Sequence, residues 1–323
     1  MRRTTLQYAA VALAATIFAC DRQTPVAPVT RQAPPSAAKS AAPNAQDPLV
    51  AKLLDINAQL RARGMHIAIE EVSYFRIGQG RSDARIHAQE FRWVPNDPRR
   101  NADGDRITYL VRNSRGATAS GLTGAQTGAA IDAALGTWDA SRPLKKVTII
   151  KRPETAVDPD IFDGFFGIGT DADEANATPF QADIVEAGWR PRAFFEAAGG
   201  PGGGRGILAF TISFIFTDDV TGEPTDINGD NRLDTALAEV YYNNTFGDPA
   251  DDRAGNPWRI NQPLPAIDVQ TVALHENGHA LGLGHFGPPP DAVMNPIYAG
   301  IRQAPLAVDL AGMNAVWSSW PNP

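Results

Sequence analysis

Apolar residues recur at helical or strand spacing in several separate segments of the chain. Between residues 49 and 63 they return every three or four positions, and Gly64 follows as a C-terminal cap would, so this segment is predicted to be a helix. Residues 65–75 alternate enough to form a strand or a hairpin arm. We therefore predict a small N-terminal element over residues 49–90, whose role the pattern does not give.

The rest of the chain interleaves strand patterns with a helix pattern. Short β-rich runs cover residues 106–112, 146–151 and 238–243, and a longer apolar run covers residues 206–216. Residues 121–140 place apolar side chains at a spacing of three to four and are predicted to be a helix. Strands interleaved with a helix predict a mixed α/β layer structure.

Residues 1–19 have the build of a signal peptide. Arg2 and Arg3 precede an uncharged, apolar stretch that is shorter than the roughly 20 residues a membrane-spanning helix needs. The stretch ends in Ile-Phe-Ala-Cys, which resembles the bacterial lipoprotein processing box, with Cys20 as the residue that receives the lipid. The alternative is an ordinary cleaved signal in which Cys20 has no role.

Residues 20–48 are predicted to be a lipid-anchored linker. They are rich in Pro and Ala and contain no aromatic residue, a composition that cannot bury a core and favours an extended chain. Such a spacer suits a tethered domain, although linkers also occur in freely secreted proteins. We expect a secreted or cell-envelope protein that meets the membrane only through its lipid at Cys20.

The overall composition narrows the class of protein. The chain has 323 residues, of which 43% are hydrophobic, which is enough to bury a core, and its 29 glycines and 26 prolines indicate many loops. A formal net charge of −7 argues against a nucleic-acid partner, because phosphate binding needs a basic surface. A single cysteine excludes an intrachain disulfide and a zinc site built from cysteines.

Residues 275–285, HENGHALGLGH, carry three histidines at the spacing of a metal site. His275 and His279 are four residues apart and would project from one face of a helix. Gly282 would permit the left-handed turn that ends the helix and lets His285 return as a third ligand. Three imidazoles leave one tetrahedral position for water, which is the arrangement of catalytic zinc.

Glu276 follows the first ligand and lies within reach of that water, so it is the predicted general base. Asp268 could cap the start of the helix. The alternative is coincidence, a helix with two satisfied histidines and an unrelated third. Coincidence is disfavoured because three of the five histidines of the chain fall within eleven residues at fixed offsets.

This motif, HExxHxxGxxH, is the zinc motif of the metzincins, and the chain is similar to their matrixin, or matrix-metalloproteinase, type. Residues 292–298, AVMNPIY, resemble the Met-turn that follows the motif. The resemblance implies an α+β, zincin-like catalytic domain over residues 91–323, with a twisted mixed sheet, a long zinc-binding helix, a Met-turn and a C-terminal helix. It also implies that Met294 lies beneath the metal, and that Pro296 to Tyr298 form a wall of the pocket for the substrate residue after the cleaved bond.

The likeness covers most of residues 105–320. Residues 107–109 resemble the first strand of the matrixin catalytic domain, and residues 308–312 resemble the start of its closing helix. Residues 199–210 resemble its Gly-rich loop and the beginning of its substrate-binding edge strand. We therefore expect residues 206–216 to lie at a sheet edge, where an extended substrate would pair as an added strand.

Some features depart from the matrixin pattern. No cysteine follows Cys20, so the prosegment cysteine that usually keeps matrixins latent is absent. A removable prosegment is nevertheless one interpretation of the N-terminal element over residues 49–90. Residues 88–274 contain no histidine for a second, structural zinc, so we predict one zinc ion per chain. Phe286 stands where matrixins usually carry Ser. The Gly-rich residues 199–206 lack the Gly-Lys-Ser/Thr of a phosphate loop and are expected to be a flexible loop.

A calcium site is a second metal hypothesis. Side-chain oxygens alternate around Gly229, an arrangement that suits a hard cation, although Leu237 stands where an EF-hand has Glu. Such Asx-Gly clusters are also good turns, which is the alternative. The candidate ligands are Asp226, Asn228, Asp230 and Asp234, with a shorter echo at Asn101, Asp103 and Asp105.

Together these features favour a monomeric zinc endopeptidase. It would hydrolyse peptide bonds in protein or peptide substrates by a metal-activated water, with Glu276 as the base. One alternative is a surface-tethered binding or adhesion module that keeps the metzincin fold without turnover, which a broken ligand set would have supported. Another is a hydrolase of small amides or glycans, which the motif alone does not separate from a peptidase.

Overall fold

The computed structural model describes residues 47–100, 104–141, 147–165 and 179–320. Helix α1 (Pro48–Ala62) begins at Asp47, whose carboxylate accepts the N–H of Leu49, and ends just before Gly64, which has a φ of +74°. Strand β1 (Ile67–Arg76) follows it. Both predicted elements are therefore present, whereas the signal segment, Cys20 and nearly all of the linker lie outside the described residues.

In the part of the chain that the structure describes, eight strands form one mixed sheet. Its order is β2-β1-β7-β8-β6-β4-β5, with β3 paired to the start of β8. Strands β4, β5, β6 and β8 run parallel, while β7 is antiparallel to both β8 and β1, and β1 is antiparallel to β2. The remaining bounds are β2 (Asp83–Arg85), β3 (Phe91–Arg92), β4 (Ile107–Val111), β5 (Ile149–Arg152), β6 (Ile184–Arg190), β7 (Ile207–Phe216) and β8 (Leu233–Asn243).

Helices cover both faces of this sheet. One buried cluster joins α2 and α5 to one face, and a second cluster joins α1 and α3 to the other. A short parallel pair of strands, β9 and β10, leads directly into α5. The bounds are α2 (Gly124–Ser141), α3 (Arg192–Gly199), α4 (Gly203–Gly206), β9 (Trp258–Arg259), β10 (Ile267–Asp268), α5 (Val269–Ala280) and α6 (Ala307–Trp317). This architecture confirms the predicted α+β, zincin-like fold.

The expectation that residues 206–216 form an edge strand is wrong for this structure. Strand β7 is paired on both sides, with β8 along one edge and β1 along the other. The pairing with β1 extends from Ile67 opposite Phe216 to Arg76 opposite Ile207. The chain's own N-terminal element therefore fills the place where an added strand was expected.

The Gly-rich segment after α3 is a packed helical turn rather than a flexible loop. Gly203, Gly204 and Gly206 are buried in α4. A Cβ atom on Gly203 would come within 2.2 Å of the carbonyl oxygen of Phe195. The glycines therefore allow α4 to lie directly against α3, at the point where the chain enters β7.

The N-terminal element does not stand apart from the rest of the fold. All described residues fall within one compact unit, and β1 lies inside the sheet with α1 packed against it. The predicted boundary at residue 90 therefore does not coincide with a break in the packing. Among the described helices, none has the length and apolarity that crossing a bilayer requires.

Candidate metal centre

Helix α5 and the turn after it bring the three predicted histidines together. The Asp268 carboxylate caps the helix by accepting the N–H of Thr271 at 2.9 Å, as predicted. After α5 the chain turns at Gly282, whose φ is +88°, so that His285 returns towards the helix. The Nε2 atoms lie 3.1 Å apart for His275 and His279, 3.1 Å for His279 and His285, and 3.3 Å for His275 and His285.

This arrangement fits a zinc ion. Nδ1 of His275 lies 2.7 Å from the carbonyl oxygen of Val293, and Nδ1 of His279 lies 2.8 Å from that of Leu283. Because a carbonyl can only accept, both Nδ1 atoms carry the proton and both Nε2 atoms present lone pairs to one another. Lone pairs converging at this distance need a shared cation, and a tetrahedral zinc with bonds of about 2.0–2.1 Å separates its nitrogens by roughly 3.3 Å.

The protonation of the three imidazoles agrees with this donor set. Burial lowers the pKa of His275 and of His285 well below the usual range, and it lowers that of His279 to about 4. Neutral imidazole is the form that binds a metal ion. Among the described residues, His275, His279 and His285 are the group of His, Cys, Asp or Glu side chains that could hold a metal ion.

Glu276 lies on α5 between the first two ligands and is completely buried. Its Oε2 accepts a 2.7 Å hydrogen bond from the hydroxyl of Thr211 on β7, while its Oε1 is buried with no hydrogen-bond partner among the described residues. Burial raises the pKa of Glu276 well above its usual range, and the Thr211 hydrogen bond opposes this rise. Thr211 thus fixes one carboxylate oxygen and leaves the other available.

Helix α5 is also tied to the sheet through a buried carboxyl group, that of Glu186. Asn277 donates to Oε1 of Glu186 at 2.6 Å, and the hydroxyl of Tyr242 donates to its Oε2 at 2.7 Å. Glu186 is completely buried, and burial raises its pKa to about 7. These bonds join the helix that carries the histidines to β6 and β8 and so limit its movement.

Met294 packs against α5, and α6 holds the turn that carries it. Its side chain is buried next to Gly278, the residue before His279. The carboxylate of Asp309 in α6 accepts the backbone N–H groups of Val293 at 2.9 Å and Met294 at 3.2 Å. The predicted Met-turn therefore lies under the zinc helix and is fixed by a residue from the closing helix.

The predicted pocket wall, Pro296 to Tyr298, lies beside the first ligand. The Tyr298 hydroxyl accepts the N–H of Asp268 at 2.9 Å, which joins the wall to the start of α5. The backbone of Ile297, in the middle of the wall, also forms a parallel bridge with Arg76 at the end of β1. The wall therefore already holds an extended chain segment.

The calcium hypothesis is not supported by the described residues. Both carboxylate oxygens of Asp226 accept backbone N–H groups of the loop itself, as in an Asx turn. Asp230 forms an ion pair with Arg92, and Asp234 forms one with Arg99 at 2.7 Å. Asn228 donates to Asp230 at 3.3 Å. The oxygens therefore have other partners, and Asn101 and Asp103 lie outside the described residues.

The fit between Gly278 and Met294 gives a test of the site's support. A Cβ atom at residue 278 would lie 2.3 Å from Sδ of Met294, so we expect Gly278→Ala to lower the free energy of unfolding by about 1–3 kcal/mol. Gly136→Ala is the matched control, because residue 136 is an exposed position of α2 with open space around it. That change should raise stability by about 0.5–1 kcal/mol. Urea denaturation of the two variants would measure both effects, and equal stabilities would contradict the proposed packing.

Several residues of the site were not predicted from the sequence. Thr211, Glu186 and Asp309 act through contacts to residues far away in the chain, and no local pattern marks them. One signal was present for Glu186, because a carboxylate within an apolar run such as Ile-Val-Glu-Ala-Gly-Trp indicates a buried charge that needs partners.

Comparison with known protein families agrees with this geometry. Residues 208–318 match the family model described as matrixin. The matched segment contains the three histidines, Glu276, Met294 and the pocket wall, and it begins in β7. The α+β sheet, the zinc helix and the histidine triad are those expected of that family. The segment that carries the metal centre, residues 208–318, is thus similar to the matrixins, a family of zinc metallopeptidases of the metzincin type.

Proposed function

We propose that the protein is a zinc-dependent endopeptidase in which Glu276 is the general base. The observation that carries the proposal is the convergence of three Nε2 atoms within 3.1–3.3 Å beside a buried glutamate, one of whose oxygens accepts no hydrogen bond from the described residues. His275, His279 and His285 would hold the ion. When bound, zinc lowers the pKa of water and polarises a carbonyl group.

The chain's own residues would carry the proton transfers. Oε1 of Glu276 accepts a proton from the attacking water, and the carboxyl group then delivers that proton to the nitrogen of the leaving amine. The Thr211 hydroxyl holds Oε2 in place throughout. Overall, the oxygen of water bonds to the carbonyl carbon, the C–N bond of the peptide breaks, and the proton taken from water ends on the amine nitrogen.

The support around the site serves this chemistry by fixing its position. Glu186 and Asn277 tie α5 to the sheet, and Asp309 ties the Met-turn to α6. Small displacements of reacting groups lower catalytic rates steeply, so rigid attachment of α5 and of the Met-turn favours turnover. This arrangement is what a hydrolytic centre requires, whereas a tether or adhesion module has no need of it.

Removal of the metal is the direct test. Dialysis against a zinc chelator should abolish hydrolysis of casein or of a mixed peptide pool, and added zinc should restore it, because the imidazoles alone cannot activate water. Zinc content should be measured in parallel by elemental analysis. Hydrolysis that persists after the zinc is gone would contradict the proposal.

A further inference from the structure

Strand β1 runs through the cleft beside the zinc ligands. Along one edge it is paired with β7 over its whole length. At its end, the N–H of Arg76 donates to the carbonyl oxygen of Pro296 at 3.1 Å, and the carbonyl oxygen of Arg76 accepts the N–H of Tyr298 at 2.7 Å. The next residue, Ile77, donates to the carbonyl oxygen of Gly206 at 2.8 Å. A peptide bound by strand addition would use these same backbone groups.

The side chain of Phe75 occupies the pocket between the first ligand and the wall. Its ring is stacked on the imidazole of His275, with centroids 3.8 Å apart and an angle of 8° between the planes. It also meets the ring of Tyr298 edge-on at 5.8 Å. Phe75 is only 3% exposed, so it fills this space. That is the pocket expected to take the substrate residue after the cleaved bond.

The predicted base also lies close to β1. Burial raises the pKa of Glu276, and the backbone N–H of Phe75 is near enough to the carboxylate to oppose that rise. Strand β1 therefore lies beside Glu276 as well as beside the first ligand.

The strand also covers much of the site. His275 and Glu276 have no exposed surface and His279 is 3% exposed, whereas His285 is only partly buried. Tyr74 is fully buried and anchors the strand by donating its hydroxyl to the carbonyl oxygen of Ala198 at 2.8 Å. A second peptide cannot pair with β7 and the wall while β1 holds their backbone groups.

We propose that β1 occupies the substrate cleft and keeps the rate of peptide hydrolysis low until the strand leaves. The inference rests on the proposed function, because a cleft that hydrolyses nothing needs no such cover. The side chain of Phe75 and the paired strand β1 would thus keep the site latent, which in matrixins is usually done by a prosegment cysteine that this chain lacks. The same contacts indicate that the pocket accepts an aromatic residue after the cleaved bond.

The test begins with Arg76→Pro in the full-length chain. Proline at residue 76 lacks the N–H that binds Pro296, so the end of β1 should detach. We expect the zinc-loaded variant to hydrolyse a fluorogenic peptide about tenfold or more faster than the unaltered chain. Gln79→Pro is the matched control, because Gln79 lies in the exposed turn after β1 and should leave the rate unchanged.

A second variant tests the same inference in case Arg76→Pro does not fold. It carries the recognition sequence of a specific protease in the turn at residues 78–80, and cutting there frees the end of β1 without changing the strand. The same rise in rate is expected after the cut. A synthetic peptide of residues 67–77 should then bind the opened protein and inhibit it, and a peptide with Phe75→Ala should bind about tenfold or more weakly.

Each outcome separates the two proposals. Equal hydrolysis by the intact and opened forms would overturn the inference and leave the proposed function standing. If no form hydrolyses peptides while zinc is bound, the proposed function fails, and binding of the synthetic strand, followed by fluorescence anisotropy, still decides whether the cleft accepts β1. A synthetic strand that neither binds nor inhibits would overturn the inference.

Discussion

Glu276→Gln is expected to lower kcat/KM for peptide hydrolysis by about 10²–10⁴-fold while the bound zinc remains. Glutamine is nearly the same size, and its amide oxygen can still accept the hydrogen bond from Thr211, so the site should keep its shape. It cannot accept a proton from water, however, and it cannot deliver one to the leaving amine. The loss should therefore appear in kcat rather than in zinc content.

The comparison should be made both in the whole chain and in the Arg76→Pro background, where β1 no longer closes the cleft. Glu223→Gln removes a carboxylate from an exposed position and is a suitable control, with no expected effect on hydrolysis. Elemental analysis would establish equal zinc in all variants. Retained hydrolysis by Glu276→Gln would assign the base to another group.

Asp183→Ala is expected to produce the largest loss of stability, about 3–5 kcal/mol. The Asp183 carboxylate accepts two hydrogen bonds from Arg100, at 3.0 and 3.1 Å, and both side chains are almost fully buried. It also accepts the backbone N–H of Thr108 in β4 at 2.8 Å. Removing it would leave the Arg100 guanidinium buried without its counterion and would leave the backbone N–H of Thr108 without this acceptor.

An exposed ion pair provides the contrast. Lys151 meets Asp132 at 2.7 Å, with both side chains more than a third exposed, so Lys151→Ala should cost about 1 kcal/mol or less. Chemical denaturation of the two variants would give the free energies of unfolding. Equal losses would show that the Arg100–Asp183 pair contributes no more than a surface contact.

The sequence predicted correctly those features of the structure that depend on residues close together in the chain. The helical spacing over residues 49–63, the Gly64 cap and the Asp268 cap depend on neighbouring residues only, and the structure has them. The convergence of His275, His279 and His285 also follows from a helix and one glycine turn. Such features can be predicted because short-range geometry fixes them.

The pairing of strands was not predictable in the same way. Strand β6 has no alternation of apolar and polar residues, because all of its residues are buried, and it was not recognised. The prediction of an edge position for β7 failed because nothing near residues 207–216 indicates that β1, more than a hundred residues earlier in the sequence, pairs with it. The partners of a strand are decided by the whole fold.

The Asx-rich loop illustrates the same limit for chemistry. Its residue types suit both a cation and a turn, and the decision depends on Arg92 and Arg99, which reach Asp230 and Asp234 from another part of the chain. Ion pairs of this kind take up carboxylate oxygens that a cation would need. A composition-based metal hypothesis therefore requires knowledge of the neighbouring cations before it can be accepted.

The place of β1 in the sheet has a consequence for biosynthesis. Chains emerge from the ribosome from their N terminus, so this strand is available long before the zinc helix and before α6, whose Asp309 completes the support of the Met-turn. By the time the last part of the hydrolytic centre has been translated, its cover is already present in the same molecule. No stage of translation then leaves a finished cleft open to nascent neighbours.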